Sequence, residues 1–235
     1  MNERRALGFG LSAVLLWSTV ATAFKLTLAE LTPIQMLTVA SMVSAIALTA
    51  VCTIQGKLSS LASTFFANPW YYLLLGLINP LAYYVILFKA YDLLPASQAQ
   101  AINYSWAITL TLMAAVFLGQ KIRKQDWIAC TLSYFGVIVI ATKGDVLGLS
   151  FESPLGVGLA LLSTLLWASY WILNTKNKAD PIVGVLLGFL VAIPFAIGLS
   201  LYEGANWSGI SLQGWLAVSY VGLFEMGVTL SLIHI

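Results

Sequence analysis

The sequence predicts an all-α bundle of membrane-spanning helices, that is, a polytopic membrane protein. Of its 235 residues, 60% are hydrophobic and 9% are charged, and the mean hydropathy is +0.91. A soluble domain carries about 25% charged residues. The apolar residues form long stretches separated by a few polar residues. A helix needs about 20 mostly apolar residues to cross the hydrocarbon core, and helical backbone leaves no amide unpaired in lipid.

Eight such stretches follow one another along the chain. Their expected bounds are 6–28, 33–54, 70–90, 97–118, 126–142, 154–174, 181–202 and 212–230. Four connections place a capping residue before a proline that can open a helix, namely Thr32-Pro33, Asn68-Pro69, Ser153-Pro154 and Asp180-Pro181. Pro80 and Pro194 instead fall inside apolar stretches, where a proline is expected to bend the helix.

The first stretch has a second interpretation as a cleaved signal peptide. Arg4 and Arg5 precede it, and residues 21–23 (Ala-Thr-Ala) resemble a cleavage site. We favour a retained membrane helix, because the apolar region is long for a signal peptide and because the first stretch resembles the sixth.

The basic residues are distributed unevenly between the two sides of the membrane. Eight of the 11 belong to the N-terminus or the even-numbered connections: Arg4, Arg5, Lys57, Lys121, Arg123, Lys124, Lys176 and Lys178. The positive-inside rule therefore predicts a cytoplasmic N-terminus. The net charge of +2 reflects topology rather than an extended basic patch, so nucleic acid is not an expected partner.

Two short matches indicate an internal repeat. Residues 15–18 (Leu-Leu-Trp-Ser) resemble 165–168 (Leu-Leu-Trp-Ala), and residues 76–79 (Gly-Leu-Ile-Asn) resemble 222–225 (Gly-Leu-Phe-Glu), at offsets of 150 and 146. The first helix thus pairs with the sixth and the third with the eighth, so the repeat holds five helices. An odd number inverts the second copy, as is typical of transporters. We expect the first repeat at 1–146 and an incomplete second repeat at 147–235.

The C-terminal end of the sequence is expected to be truncated. A complete second repeat would need two further helices. Residues 230–235 (Leu-Ser-Leu-Ile-His-Ile) also match the in-frame translation of a common sequencing-library transposon end. We therefore expect these six residues to be foreign, in which case the single histidine, His234, has no functional role. A genuine short C-terminus is the alternative.

Four short motifs carry a family resemblance. They are Leu-Leu-Trp-Ser at 15–18, Ala-Ile-Asn-Tyr-Ser-Trp at 101–106, Leu-Gly-Gln-Lys at 118–121, and Gln-Asp-Trp at 125–127 with Gly-Val-Ile at 136–138. Together they resemble the drug/metabolite transporter superfamily, EamA-domain type. The second and third motifs, with residues 166–170, are also similar to bacterial aromatic amino acid exporters. The chain departs from the family at Gln120, where an acidic residue is usual.

The resemblance implies ten helices in two inverted five-helix repeats, of which about eight are present here. It implies a secondary transporter that exports small organic solutes, with aromatic or neutral amino acids as candidates. Alternating access around a site near the bilayer midplane would move the solute across the bacterial inner membrane. A non-transporting scaffold or receptor is the alternative, which the short connections disfavour. The sequence leaves the solute, the coupling ion and the oligomeric state open.

No enzyme or cofactor is expected. The sequence contains no paired His/Glu metal motif, no phosphate loop and no nucleophilic serine with a suitable base. Cys52 and Cys130 lack metal-ligand spacing and are expected to pack as small apolar residues.

Two polar residues inside apolar stretches are candidates for the solute path. Glu225 lies within the eighth stretch, and an ionisable group at this depth usually faces the bundle interior or a cavity. It could bind an amine or take up a proton, or it could hydrogen-bond a kinked neighbour. Asn79, its repeat mate in the third stretch, adjoins Pro80. Asn79 could line the path or pair with carbonyls that the kink frees.

Aromatic side chains are the other candidates for substrate binding. In the sixth stretch Trp167, Tyr170, Trp171 and Asn174 share one helical face. The remaining candidates are Trp17, which matches Trp167 in the repeat, Tyr83, one turn after Asn79, and the pair Asn103 and Trp106. Such a surface suits a small aromatic solute. Packing against neighbouring helices or anchoring at the membrane interface are the alternatives.

Overall fold

The computed structural model describes residues 3–148 and 151–228, which form helices joined by short connections. The helices are α1 (Glu3–Leu28), α2 (Pro33–Ile54), α3 (Ser60–Ala67), α4 (Pro69–Gly76), α5 (Tyr83–Leu93), α6 (Ala96–Asn103), α7 (Trp106–Leu118), α8 (Lys124–Ala141), α9 (Pro154–Asn174), α10 (Pro181–Tyr202) and α11 (Leu212–Tyr220). A first π-helical segment, Leu77–Ala82, follows α4, and a second, Val221–Val228, follows α11. The described residues include no strand. The predicted all-α class is confirmed.

Five helical stretches in the described part of the chain are long and apolar enough to cross a membrane. They are Pro33–Ile54, Pro69–Leu93, Ala96–Leu118, Pro154–Asn174 and Pro181–Tyr202. Each coincides with a predicted span to within a few residues. The other three predicted spans are also helical, as α1, α8, and α11 with the second π-helical segment. The short helix α3 was not predicted.

The predicted cap-proline pairs open helices as expected. Thr32 and Gln35 form a reciprocal capping box at the start of α2. The side chains of Asn68, Ser153 and Asp180 accept backbone N–H bonds at the starts of α4, α9 and α10. Each proline follows at the first helical position, where the missing N–H leaves no hydrogen bond unmade.

Two of the membrane-length stretches are interrupted. Asn79 has φ −143° and ψ 118°, which is extended backbone, so the helix between α4 and α5 is broken beside Pro80. The Asn79–Pro80 peptide bond is cis. The second interruption is the turn at Tyr104 and Ser105, which separates α6 from α7. Pro194, by contrast, lies inside α10, and that helix continues through it.

The chain divides into two compact units, one of residues 1–81 with 178–235 and one of residues 82–177. In the first unit α2 packs against α10 and the second π-helical segment, and α1 packs against α11. In the second unit α9 packs against α5, α6 and α7. The division of the sequence into repeats at residues 146 and 147 stays a prediction.

Two glycines of the first unit make equivalent close contacts. A Cβ atom on Gly76 would lie 2.8 Å from Val191 Cβ and 2.9 Å from the carbonyl oxygen of Gly188, both on α10. A Cβ atom on Gly222 would lie 2.8 Å from Val43 Cβ and 2.6 Å from the carbonyl oxygen of Ala40, both on α2. Gly76 and Gly222 begin the two sequence segments that match, so this correspondence is what an internal duplication predicts.

Polar contacts also join the ends of the helices in the first unit. At one end Lys57 Nζ lies 2.6 Å from Asp180 Oδ2. At the other, the backbone N–H and the hydroxyl of Ser211 each donate to Glu30 at 2.6 Å. These two hydrogen bonds hold the pKa of the Glu30 carboxyl below its usual value. Both contacts join segments that lie far apart in the sequence.

The contact between Lys57 and Asp180 predicts an acid-sensitive stabilisation. Burial raises the pKa of Asp180, but the Lys57 ammonium and the backbone N–H groups of Val183 and Ile182 outweigh it and hold the pKa below its usual value. Because the folded-state pKa is depressed, the stabilisation is present above the unfolded-state pKa and is lost as pH falls through the folded-state pKa.

Asp180→Asn keeps a capping side chain and removes the charge. We expect it to lower the free energy of unfolding near neutral pH by less than about 1 kcal/mol, because both partners are partly exposed. The difference from the unaltered protein should vanish in acid. Thermal unfolding in detergent between pH 7 and pH 3 measures this, with Glu203→Gln, at an exposed position, as the control. A difference that persists unchanged at low pH would contradict the expectation.

Candidate functional site

An aromatic cluster lies in the second unit, with Trp167 of α9 at its centre. The centroid of the Trp167 ring lies 4.7 Å from that of Tyr83, 6.2 Å from those of Trp106 and Tyr170, and 6.1 Å from that of Trp171. Trp167, Tyr83 and Tyr170 are each 5% exposed or less. These distances are in the range at which aromatic rings attract one another.

Local sequence explains how three elements meet at this cluster. Trp167, Tyr170 and Trp171 have the spacing of one helical face on α9. Tyr83 is the first residue of α5, directly after the broken helix, and Trp106 is the first residue of α7, directly after the second interruption. Both α5 and α7 therefore begin with an aromatic residue of the cluster.

An amide and a hydroxyl extend the cluster. Asn103 Nδ2 donates to Ser163 Oγ at 2.9 Å and to Tyr83 OH at 3.4 Å. Ser163 Oγ donates to the carbonyl oxygen of Ala160 at 2.7 Å. Asn103 is 5% exposed and Ser163 is fully buried. The hydrogen bonds join α6, α5 and α9.

A second polar contact joins α7, α8 and α9. Thr109 Oγ1 lies 3.0 Å from Thr164 Oγ1 and 3.0 Å from Tyr134 OH. Sequence reasoning missed these residues and Ser163. The available signal was position, because Ser163 and Thr164 precede Trp167 by one helical turn and share its face of α9.

Trp167 Nε1 and Asn103 Oδ1 make no hydrogen bond within the described residues. Trp167 Nε1 is buried, and its N–H makes no hydrogen bond. No described group donates to Asn103 Oδ1, because both of the hydrogen bonds of Asn103 use the nitrogen. Trp167 therefore offers a free donor, and Asn103 offers a free acceptor. All of its side chains are uncharged at neutral pH.

The structure thus brings together five of the eight predicted site residues: Tyr83, Asn103, Trp106, Trp167 and Tyr170. Asn174, on the same predicted face, instead accepts a hydrogen bond from Asn177 at the end of α9. The predicted repeat mates Asn79 and Glu225 belong to the first unit. Trp17 lies in α1, and its side chain is outside the described part of the structure.

Asn79 and Glu225 lie in two irregular segments of the first unit, at positions that match in the sequence. Asn79 is buried at the break in the first π-helical segment, and its Oδ1 has no hydrogen-bond partner among the described residues. Glu225 is half-buried in the second π-helical segment. The π-helical form of the segment around Glu225 is one that occurs frequently at functional sites, whereas the segment around Asn79 is a break in the helix. The sequence predicted that both residues line the solute path, and that role stays a prediction.

The described residues contain no group of three or more His, Cys, Asp or Glu side chains that could hold a metal ion. Cys52 and Cys130 are buried and free.

Apolar helices of membrane-spanning length, two of them interrupted, are typical of polytopic membrane transporters. The sequence profile of the EamA-like transporter family matches residues 4–142, more than half of the chain. The protein therefore belongs to the EamA-like transporter family.

Named relatives agree with this assignment. The chain is 25% identical over 231 residues to the aromatic amino acid exporter YddG of Ancylobacter novellus, an alignment that covers 97% of this chain and 78% of that protein. It is 27% identical over 118 residues to the uncharacterized inner membrane transporter YedA of Escherichia coli K12, covering 48% of this chain and 37% of that protein. A solved crystal structure superposes with a TM-score of 0.74 at 21% identity, over all of this chain and 79% of the other, and shows the shared fold.

Proposed function

We propose that the protein is a secondary transporter that exports amino acids with aromatic or other neutral side chains across a bacterial inner membrane. The observation that carries this proposal is the unpaired N–H of Trp167 inside the aromatic cluster. An unpaired buried donor costs about 1–3 kcal/mol, and a ligand that accepted this hydrogen bond would recover that free energy. The similarity to an aromatic amino acid exporter supports the same class of solute.

The chemistry of the cluster suits a zwitterion with an apolar side chain. The Trp167 N–H can donate to the carboxylate of the solute, and Asn103 Oδ1 can accept from its ammonium group. The rings of Tyr83, Trp106 and Tyr170 can stack on an aromatic side chain, at about 0.5–1.5 kcal/mol per pair. A charged side chain would give the solute a net charge. The site holds no opposite charge, so placing this net charge in a low-dielectric interior is unfavourable.

Alternating access is the proposed mechanism. Interrupted helices support it, because in transporters such breaks expose backbone polar groups to a solute and allow the helix to bend. The uneven distribution of basic residues supports a cytoplasmic N-terminus. Asn79, Glu225 and Trp17 are assigned to the solute path on the sequence argument, with Glu225 as the residue that could couple transport to protons.

Counterflow in proteoliposomes tests the proposal. Vesicles containing the full-length protein and loaded with unlabelled phenylalanine, tryptophan or leucine should accumulate labelled phenylalanine. Vesicles loaded with lysine or glutamate should not, because those solutes carry a net charge. Accumulation that is equal with all five solutes, or equal to that of protein-free vesicles, would contradict the proposal.

The same assay at two pH values separates the roles open to Glu225. If transport is independent of pH and Glu225→Gln transports normally, proton coupling through Glu225 is rejected and facilitated diffusion remains. A receptor or scaffold would show solute binding in detergent without counterflow.

A further inference from the structure

The direction of the Asn103 amide is set by a chain of hydrogen bonds. Asn103 Nδ2 donates to Ser163 Oγ at 2.9 Å, and Ser163 Oγ donates its single proton to the carbonyl oxygen of Ala160 at 2.7 Å. A carbonyl oxygen can only accept a hydrogen bond. With its proton committed to Ala160, Ser163 must accept from Asn103 rather than donate to it.

Reversing the amide would break this chain. With Asn103 Oδ1 facing Ser163, the serine proton could reach either Asn103 or Ala160 but not both. Ser163 is fully buried, so water cannot replace the lost hydrogen bond. The chain therefore keeps Oδ1 turned away from Ser163, as an acceptor to which no described group donates.

We propose that Ser163 is a positioning residue, which holds the Asn103 amide with Oδ1 towards the solute and so selects solutes that carry an ammonium group. The inference rests on the proposed function, because it concerns recognition in the same site. An ammonium group has only donors and suits a carbonyl oxygen, whereas two acceptors repel one another. The site should therefore prefer an amino acid over the same carbon skeleton without its amine.

Phenylalanine and 3-phenylpropionate differ by this amino group, so transport of both compounds by the full-length protein in proteoliposomes measures the preference. The unaltered protein should prefer phenylalanine. In Ser163→Ala the ratio of the two kcat/KM values should fall about tenfold, mainly through a higher KM for phenylalanine. Ser163→Thr, which keeps the hydroxyl, should keep the ratio. Ser41→Ala, an equally buried serine of the first unit, is the matched control and should leave the ratio unchanged.

The outcomes separate this inference from the proposed function. If Ser163→Ala leaves the ratio unchanged, or Ser163→Thr loses as much as Ser163→Ala, the role of Ser163 is wrong and the proposed function stands. If the unaltered protein transports neither compound, both fail. Ser163→Cys tests the same contact if the alanine variant does not fold, because a thiol is a weak donor and acceptor. Its ratio must also fall, and an unchanged ratio overturns the inference.

Discussion

Replacing Trp167 by phenylalanine is expected to weaken solute binding about tenfold or more while the protein stays folded. The substitution keeps an aromatic ring in the cluster but removes the N–H that has no partner within the described structure. A hydrogen bond to a charged group contributes about 1.5–3 kcal/mol, and about 1.4 kcal/mol corresponds to a factor of ten in binding. The KM for labelled phenylalanine in counterflow and the dissociation constant in detergent measure the effect.

Stability should change much less than binding, because two effects of Trp167→Phe oppose one another. Removing an unpaired buried donor is favourable, whereas the smaller ring leaves a cavity that is unfavourable. Trp127→Phe on α8 is the matched control, since Trp127 is 54% exposed and lies outside the cluster. It should leave both KM and the thermal midpoint unchanged. A Trp167→Phe variant with unaltered KM would show that the indole N–H does not contact the solute.

Helical periodicity was enough to predict that the aromatic residues of α9 lie together. The spacing of Trp167, Tyr170 and Trp171 places them on one face of any helix. The same rule linked Asn103 to Trp106 in the sequence, but the turn at Tyr104 and Ser105 separates these two residues into α6 and α7. What the sequence could not supply was the register between helices. The bond from Asn103 to Ser163 depends on how α6 lies against α9, so the position of Ser163 on the Trp167 face did not identify Asn103 as its partner.

Helix starts were predictable for a different reason. A capping side chain followed by proline is a local signal, so Thr32, Asn68, Ser153 and Asp180 could be identified without knowledge of the packing. Pro80 likewise marked an irregularity, but the sequence predicted a bend there, and the structure shows a break at Asn79.

The break at Tyr104 and Ser105 has no proline or glycine to mark it. There Ser105 Oγ donates to the carbonyl oxygen of Ile102 at 2.7 Å, a local bond that competes with regular helix. The same bond is compatible with an unbroken helix, which is why the sequence predicted one continuous span. The same serine-to-carbonyl bond can therefore occur in a continuous helix or at a break, and tertiary packing decides which of the two forms.

The match between residues 76–79 and 222–225 is weak in the sequence, but the structure gives a physical reason for its two glycines. Gly-Leu is common in membrane helices, so the match alone predicted only a repeat. In the structure both glycines lie against a backbone carbonyl and a valine of another helix. Gly76 contacts α10, and Gly222 contacts α2. The requirement for glycine therefore comes from the contact, because any Cβ atom would overlap the neighbouring backbone.

Gly222→Ala should accordingly be among the most destabilising single substitutions in the first unit. Its Cβ atom would lie 2.6 Å from the carbonyl oxygen of Ala40, and backbone cannot move aside as the end of a flexible side chain can. Ser44 Oγ also donates to the carbonyl oxygen of Gly222 at 2.7 Å, so a shift that relieved the overlap would stretch this bond. Overpacking of this kind costs about 1–3 kcal/mol, and the lost hydrogen bond adds to it.

Thermal unfolding in detergent measures the effect, and Gly76→Ala should behave alike because its Cβ would meet Gly188 and Val191. Gly198→Ala on α10 is the matched control, because nothing lies within 4 Å of its Cβ position. That control should be neutral or slightly stabilising, since alanine favours helix over glycine by up to about 1 kcal/mol. If all three variants unfolded at the same midpoint as the unaltered protein, close backbone contact would not be what requires glycine at positions 76 and 222. The glycines shared by the two segments would then not be required for stability.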